Sequence, residues 1–103
     1  MSGKLLKQEK QMSNIKKNDV ITVMTSIGEY IGKYISEDGG SVTVNDPRLI
    51  VNTPEGDIGF GRGVCMSAKE NPDQVIFQDV LFVVKTNDSF EKAYIEAVSG
   101  LIV

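Results

Sequence analysis

The most informative absence in this chain is histidine. Its 103 residues include no histidine and a single cysteine, Cys65. Without an imidazole the chain cannot form a histidine-based catalytic triad or a histidine-containing zinc site. One cysteine can form neither an internal disulfide nor a CxxC pair, which fits a reducing cytoplasm. Because no other group of side chains indicates catalysis, we expect a protein that is not an enzyme and that holds no cofactor or metal.

Long apolar runs are also missing. The longest spans residues 80–84 (VLFVV), whereas a helix needs about 20 apolar residues to cross a bilayer. The lysine-rich start, MSGKLLKQEKQ, lacks the apolar core of a signal peptide. We therefore expect no membrane contact and a cytoplasmic location. Apolar residues make up 41% and charged residues 24% of the chain, as in ordinary soluble proteins, and the length favours one domain.

Charge is spread unevenly along the chain. Residues 1–17 carry five lysines and one glutamate, which gives +4, whereas residues 18–103 carry six basic and thirteen acidic side chains, which gives −7; together they make the net charge of −3. The acidic body disfavours a broad phosphate-binding face. The segment 1–17 is predicted to be a basic arm or a short helix, which either contacts nucleic acid or is simply solvated.

Five segments rich in β-branched residues predict strands between residues 18 and 86. Gly32 stands within the second, where glycine marks a bulge, a bend or close approach by another backbone. Residues 38–40 (DGG) are a tight-turn signal. We expect residues 45–47 (NDP) to interrupt the third strand and the long fifth strand to bend near residues 78–79. In order, the segments are DVITVMT, EYIGKYIS, SVTVNDPRLIV, IGFGRGVCMS and VIFQDVLFVVKT.

Residues 87–103 change to helical periodicity. Asp88 is predicted to cap the helix, with Glu91 completing a capping-box-like pair, and Gly100 to end it. Apolar side chains at every fourth position form one stripe, and the apolar residues 101–103 follow as a tail. The stripe consists of Phe90, Tyr94 and Val98, with Ala93 and Ala97 beside it.

Five antiparallel strands of this length are expected to close into a small SH3-like or OB-like barrel. Gly32, Tyr34 and Asp38 also resemble the first motif of the Sm/LSm/Hfq-like family, Gly-x-Leu-x-x-x-Asp in a bent second strand, with tyrosine in the leucine place. The resemblance implies a mainly β fold: a small, strongly bent, five-stranded antiparallel Sm-like barrel, here with a carboxy-terminal helix. Over residues 12–100 the chain is similar to small Sm-like proteins of tailed phages that infect marine cyanobacteria, which implies the host cytoplasm.

The resemblance further implies a homo-oligomeric ring, closed by pairing of the fourth strand of one subunit with the fifth of the next, and binding of single-stranded RNA at the ring. The family's asparagine after the second-strand aspartate is absent, and its Arg-Gly pair matches residues 62–63 only in type, since these fall well before the expected place. A structural or protein-interaction ring without nucleic acid is therefore the alternative. The candidate RNA contacts are Tyr34, Asp38, Gly39, Ser41 and Arg62.

Each candidate contact also has a structural explanation. Residues 38–41 can be a turn selected for its backbone geometry, Tyr34 can belong to the barrel wall, and Arg62 can cover an aromatic side chain. The alternate glycines of GDIGFGRG share one strand face. We interpret them as a bare packing face rather than a phosphate cradle, which would need a helix directly after it.

Several strands are apolar on both faces, although a closed barrel of this size buries only one of them. Something must therefore cover the second face, and we expect this to be either the carboxy-terminal helix or another subunit. Pairing of strand edges would also satisfy open ladder groups. The candidate subunit-interface residues are Phe60, Val64, Phe82 and Val84.

Overall fold

The structure, a computed structural model, describes residues 14–61, 63–69 and 72–99. These residues form a mainly β chain that ends in a helix, as predicted. Residues 1–13 of the predicted arm and residues 100–103, the predicted tail with its stop glycine, lie outside the described residues. No helix in the described part is long and apolar enough to cross a bilayer. The elements are β1 Val20–Thr25, β2 Gly28–Asp38, β3 Ser41–Asn52, β4 Ile58–Phe60, β5 Gln74–Phe77, β6 Val80–Lys85 and α1 Asp88–Ser99.

The strands form an antiparallel sheet. Their order is β4-β3-β2-β1-β6, and β5 pairs with the first part of β3. Among the described strands, β6 pairs only with β1 and β5 pairs only with β3. The sheet is therefore open between β5 and β6, and closure into a barrel is not confirmed.

The number of strands differs from the prediction. The predicted long fifth strand is divided into β5 and β6, because Asp79 has a positive φ of 52° at the predicted bend. The predicted fourth strand is reduced to Ile58–Phe60. Gly63, with a φ of 81°, lies outside the extended region and cannot continue it. Six strands thus replace the expected five.

As predicted for residues 45–47, β3 contains a bulge, and it lies opposite Gly32. This single residue of β2 faces both Asp46 and Pro47 of β3, and Asp46 has a φ of 52°. One residue opposite two defines a bulge, which bends the strands. A Cβ atom on Gly32 would overlap the side chain of Val44 and lie 3.1 Å from the Cα of Pro47. The close approach of β3 therefore requires glycine at this position.

Two hydrophobic clusters lie on opposite faces of the sheet, which we call the inner and outer clusters. Successive residues of a strand point to opposite faces, so Tyr30 joins the inner cluster and Ile31 the outer one. The buried inner cluster consists of Ile15, Ile21, Val23, Tyr30, Val42, Val44 and Phe77. The outer cluster consists of Val20, Ile31 and Tyr94, with Ile50, Phe60, Phe90 and Val98 packed against them.

The helix covers only part of the outer face. Ile31, Thr22 and Val84 are paired neighbours across β2, β1 and β6, and therefore lie in one row on this face. Ile31 is 0% exposed, whereas Val84, at the far end of the row, is 45% exposed. The second face was expected to be covered by the carboxy-terminal helix or by another subunit. The helix, α1, covers its β1 and β2 part.

Helix α1 begins one residue earlier than a cap at Asp88 would require. The backbone amide of Phe90 donates to Oδ1 of Asn87 at 2.9 Å, which makes Asn87 the cap, and Asp88 is the first helical residue. Asparagine and aspartate both cap helices well. The residue types of Asn87 and Asp88 therefore do not decide which of the two is the cap. The predicted stripe is confirmed, because Tyr94 is buried and Phe90 and Val98 pack beside it.

Candidate functional site

The turn between β2 and β3 contains three of the candidate RNA contacts. Gly39 and Gly40 have φ values of 55° and 91°, the left-handed pair that a two-residue hairpin of type I′ requires. Asp38 and Ser41 face each other across this turn, and the hydroxyl of Ser41 donates to the carbonyl oxygen of Asp38 at 2.9 Å. The predicted tight turn is confirmed, and the Ser41 hydroxyl has a partner within it.

Tyr34 belongs to the wall of the inner cluster. Its half-buried side chain packs against that cluster, and burial, with a smaller effect of Glu37, raises the pKa of its phenol. Its backbone accepts a hydrogen bond from the amide of Asn18 at 2.7 Å and donates one to the carbonyl of Asp19 at 2.8 Å. These contacts fit the structural explanation of Tyr34 as part of the wall.

The charge around the β2–β3 turn is negative. Glu37 and Asp38 are both exposed, and residues 34–44 contain no lysine or arginine. Two carboxylates near a phosphate repel it unless cations stand between them. In the described part of the chain, no three acidic, histidine or cysteine side chains are grouped so as to hold a metal ion.

The glycine-rich segment does not form a phosphate cradle. Gly61 donates its amide to the carbonyl oxygen of Leu49 at 2.6 Å, so it packs against the β3 backbone, as the bare-face interpretation predicts. The described residues between this segment and β5 contain no helix. Arg62, the fifth candidate RNA contact, lies outside the described residues.

The four candidate interface residues separate into two pairs. Phe60 packs edge-to-face on Tyr94, with ring centroids 6.3 Å apart, and Val64 packs against the inner cluster. By contrast, Phe82 and Val84 of β6 are 50% and 45% exposed. Of the four, only this second pair is exposed, whereas Phe60 and Val64 are partly buried.

A third exposed apolar residue, Ile76, was not identified from the sequence. It lies in β5 between Val75 and Phe77, which both pack into the inner cluster, and its own side chain is 63% exposed. Its partner in β3 is Thr43, between the buried Val42 and Val44. Ile76 therefore points to the outer face of the sheet, and strand alternation in QVIF was the signal that could have revealed it.

A groove lies between β4 and the first two turns of α1, which we call the β4–α1 groove. Its volume is about 420 Å³. No sequence pattern predicts this groove, because its two sides are about thirty residues apart in the chain and meet through the outer cluster. The lining residues are Gly56, Asp57, Ile58, Phe60, Ser89, Phe90 and Ala93.

Tyr94 fastens α1 to the bulge. Its side chain is 0% exposed, and its hydroxyl donates to the carbonyl oxygen of Asp46 at 2.7 Å. Arg48 is paired with the Asp46 carboxylate at 3.2 Å. Burial and the nearby Asp46 carboxylate raise the pKa of the Tyr94 phenol, and Arg48 partly opposes them. This hydrogen bond connects the helix to the same bend that Gly32 permits.

No protein-family model matches this chain, and no curated protein sequence matches it. The likeness to Sm-like proteins therefore stays a prediction from the residues themselves. Among the described residues, the candidate contact surfaces are the edges of β5 and β6, the acidic turn and the β4–α1 groove.

Proposed function

We propose that this protein is not an enzyme but a self-associating Sm-like β protein, in which β6 of one copy pairs with β5 of the next to build a homo-oligomeric ring. The observation that carries the proposal is the pair of strand edges. Each of the two strands has one partner among the described strands. A strand edge presents backbone donors and acceptors to which a further strand can bind.

The side chains on the two edges suit each other. On β5, Val75 and Phe77 pack inward and Ile76 points outward; on β6, Val83 packs inward, whereas Phe82 and Val84 point outward and are about half exposed. If β6 extends the sheet beside β5 of a neighbour, outer residues meet outer residues. Such cross-strand apolar pairs stabilise a sheet by roughly 0.2–1 kcal/mol each.

The two edges are different surfaces, so the contact is head-to-tail. Repetition of a head-to-tail contact gives a closed ring when the rotation between neighbours returns to the start, and a filament when it does not. The bend at Gly32 and the strand order β4-β3-β2-β1-β6 support a strongly curved, Sm-like subunit, and we favour the ring.

Binding of single-stranded RNA has less support than assembly. The turn that would contact RNA carries Glu37 and Asp38, residues 34–44 contain no lysine or arginine, and Tyr34 packs on the inner cluster. We therefore propose a structural or protein-interaction ring as the function. RNA binding is tested separately by titrating fluorescent U-rich and A-rich strands across a salt series, and binding by the assembled ring at physiological salt would favour the RNA-binding function instead.

The experiment for assembly is multi-angle light scattering of the full chain across a concentration series. We expect a discrete oligomer for the wild type and monomers for Ile76→Lys and for Val84→Lys, because each variant buries a charge in the contact. Ile95→Lys is the matched control, since Ile95 is 42% exposed and belongs to α1 rather than to β5 or β6. A wild-type chain that stays monomeric at every concentration would overturn the proposal.

A further inference from the structure

We infer that Asp73 of one copy forms an ion pair with Lys85 of the next. This ion pair fixes the register of the β5–β6 contact, in which Ile76 of the first copy lies opposite Phe82 of the second. The pair presupposes the assembly proposed above and names the residues that align its two strands. Every strand pair of the described sheet is antiparallel, and the contact is given the same orientation, the commoner of the two in sheets.

The faces of the two strands limit the registers that are possible. A slip by one residue would move every side chain of a strand to the other face. Ile76 of β5 points outward, so its partner in β6 must also point outward, as Phe82 and Val84 do. Val80 is excluded as the partner, because it packs against the inner cluster. Two registers therefore remain, with Ile76 opposite either Phe82 or Val84.

The apolar side chains favour the register with Ile76 opposite Phe82. Leu81, which directly precedes the outward Phe82, points to the inner face, as Phe77 does. Ile76, Leu81 and Phe82 are 63%, 64% and 50% exposed, and this register brings each of the three against an apolar partner. Cross-strand pairs of this kind stabilise a sheet. The apolar pairs are Val75 with Val83, Ile76 with Phe82 and Phe77 with Leu81.

The same register places Asp73 directly opposite Lys85. Asp73 precedes β5, and its carbonyl oxygen accepts a hydrogen bond from the amide of Asp46 at 2.8 Å, so the pairing with β3 continues to this residue. By strand alternation Asp73 lies on the face of Val75, and Lys85 lies on the matching face of Val83. Asp73 is exposed and the side chain of Lys85 is 60% exposed. Both charges are therefore accessible to a neighbouring copy.

Lys85 has room for a second carboxylate. Its ammonium group lies 3.7 Å from Oδ2 of Asp19 in the same chain, and an ammonium group has three donors. In the slipped register, with Ile76 opposite Val84, Lys85 would lie opposite the apolar Val75. Asp73 would then lie beyond the end of β6. The slipped register therefore brings no opposite charges together between the two edges.

A dimer with a single contact tests the ion pair. The Val84→Lys chain keeps only its β5 edge free, and the Ile76→Lys chain keeps only its β6 edge free. Asp73→Lys in the first chain, or Lys85→Glu in the second, is expected to raise the dissociation constant of their dimer roughly three- to tenfold, because like charges then lie opposite each other. Both changes together are expected to restore it to within about twofold.

Sedimentation equilibrium measures these dissociation constants. Glu55→Lys in the Val84→Lys chain is the matched control, since Glu55 is an exposed acidic residue outside β5 and β6, and it is expected to leave the constant unchanged. A loss as large as that of Asp73→Lys, or a failure of the two charge changes to rescue each other, would overturn the ion pair. No dimer from the unmodified pair of chains would instead contradict the assembly itself.

Disulfide formation tests the register independently. All variants carry Cys65→Ser, because Cys65 is exposed. The β6 donor is the Ile76→Lys chain with Val84→Cys. The β5 donor is the Val84→Lys chain with Gln74→Cys, Ile76→Cys or Gln78→Cys. Oxidation is expected to join position 84 to position 74 in preference to positions 76 and 78. Preference for position 76 or 78 would overturn the register, while the assembly would stand.

Discussion

The two ends of the outer sheet face have the same chemistry but different surroundings. Val20 and Ile31 are 5% and 0% exposed beneath Tyr94, whereas Phe82 and Val84, on the same face of β6, are 50% and 45% exposed. Strand alternation accounts equally for both pairs. The difference is that side chains of α1 pack with Val20 of β1 and Ile31 of β2, whereas no β6 residue belongs to that cluster. An apolar face that the chain leaves uncovered is where a partner is to be sought.

Removal of the Tyr94 ring, which covers Val20 and Ile31, should have the largest effect on the free energy of unfolding. Tyr94→Ala deletes a fully buried ring and is expected to lower the free energy of unfolding by about 3–5 kcal/mol. Tyr94→Phe keeps the ring and loses only the bond to the Asp46 carbonyl, for about 1 kcal/mol. Urea denaturation followed by circular dichroism measures both. Equal losses for the two variants would show that the hydrogen bond, not the packing of the ring, holds α1 in place.

Substitution of Gly32, which lies opposite the Asp46 that accepts this hydrogen bond, should have the next largest effect on stability. Gly32→Ala places a Cβ against Val44 and Pro47, and such overpacking typically costs about 1–3 kcal/mol. Gly59→Ala is the matched control, since its Cβ would have no neighbour closer than 4.0 Å. We expect the control to melt within a few degrees of the wild type. A Gly32→Ala chain as stable as the Gly59→Ala chain would contradict the close approach of β3.

One substitution made at both ends of the outer face sharpens the comparison. Val20→Thr buries a hydroxyl under the helix and is expected to cost about 1–3 kcal/mol, whereas Val84→Thr is expected to change stability by less than about 0.5 kcal/mol. Both are measured in the Ile76→Lys chain, in which we expect no association, so that oligomerisation does not contribute. Similar costs at the two positions would mean that β6 is covered within the monomer.

The smallest effect concerns pH. The pKa of Tyr94 is raised above its ordinary value of 10.0 by burial, so the folded chain holds this proton more tightly than the unfolded chain. The resulting stability is complete below pH 10 and is lost as the pH rises above 10, by up to about 1.4 kcal/mol per pH unit. The slope should be smaller for Tyr94→Phe, with a remainder from Tyr30 and Tyr34. An unchanged slope would exclude Tyr94 as its source.

Features set by neighbouring residues could be predicted from the sequence, and those set by distant contacts could not. The turn at Gly39 and Gly40, the bulge of β3 opposite Gly32 and the stripe of α1 all depend on local signals, and all were predicted correctly. The helix cap was displaced by one residue, because Asn87 and Asp88 suit the position equally well. The sixth strand arises because the predicted fifth strand is interrupted at Asp79, which adopts a positive φ. The apolar residues on both sides of Asp79 favoured one continuous strand instead.

The candidate sites show the same division. Phe82 and Val84 were identified because β6 is apolar on both faces, whereas Phe60 and Val64 pack within the monomer, against partners that the sequence did not reveal. The β4–α1 groove exists only because α1 folds back over the sheet. No local pattern could have predicted it.

The central claim is that β5 and β6 are two different halves of one head-to-tail contact. Ile76→Lys blocks the β5 edge and leaves β6 intact, and Val84→Lys does the reverse. The direct test is sedimentation velocity of each variant alone and of their equimolar mixture. We predict monomers for each variant and a one-to-one dimer in the mixture, joined by the two unblocked edges. A mixture that contains only monomers, from variants of a wild type that assembles, would contradict the claim.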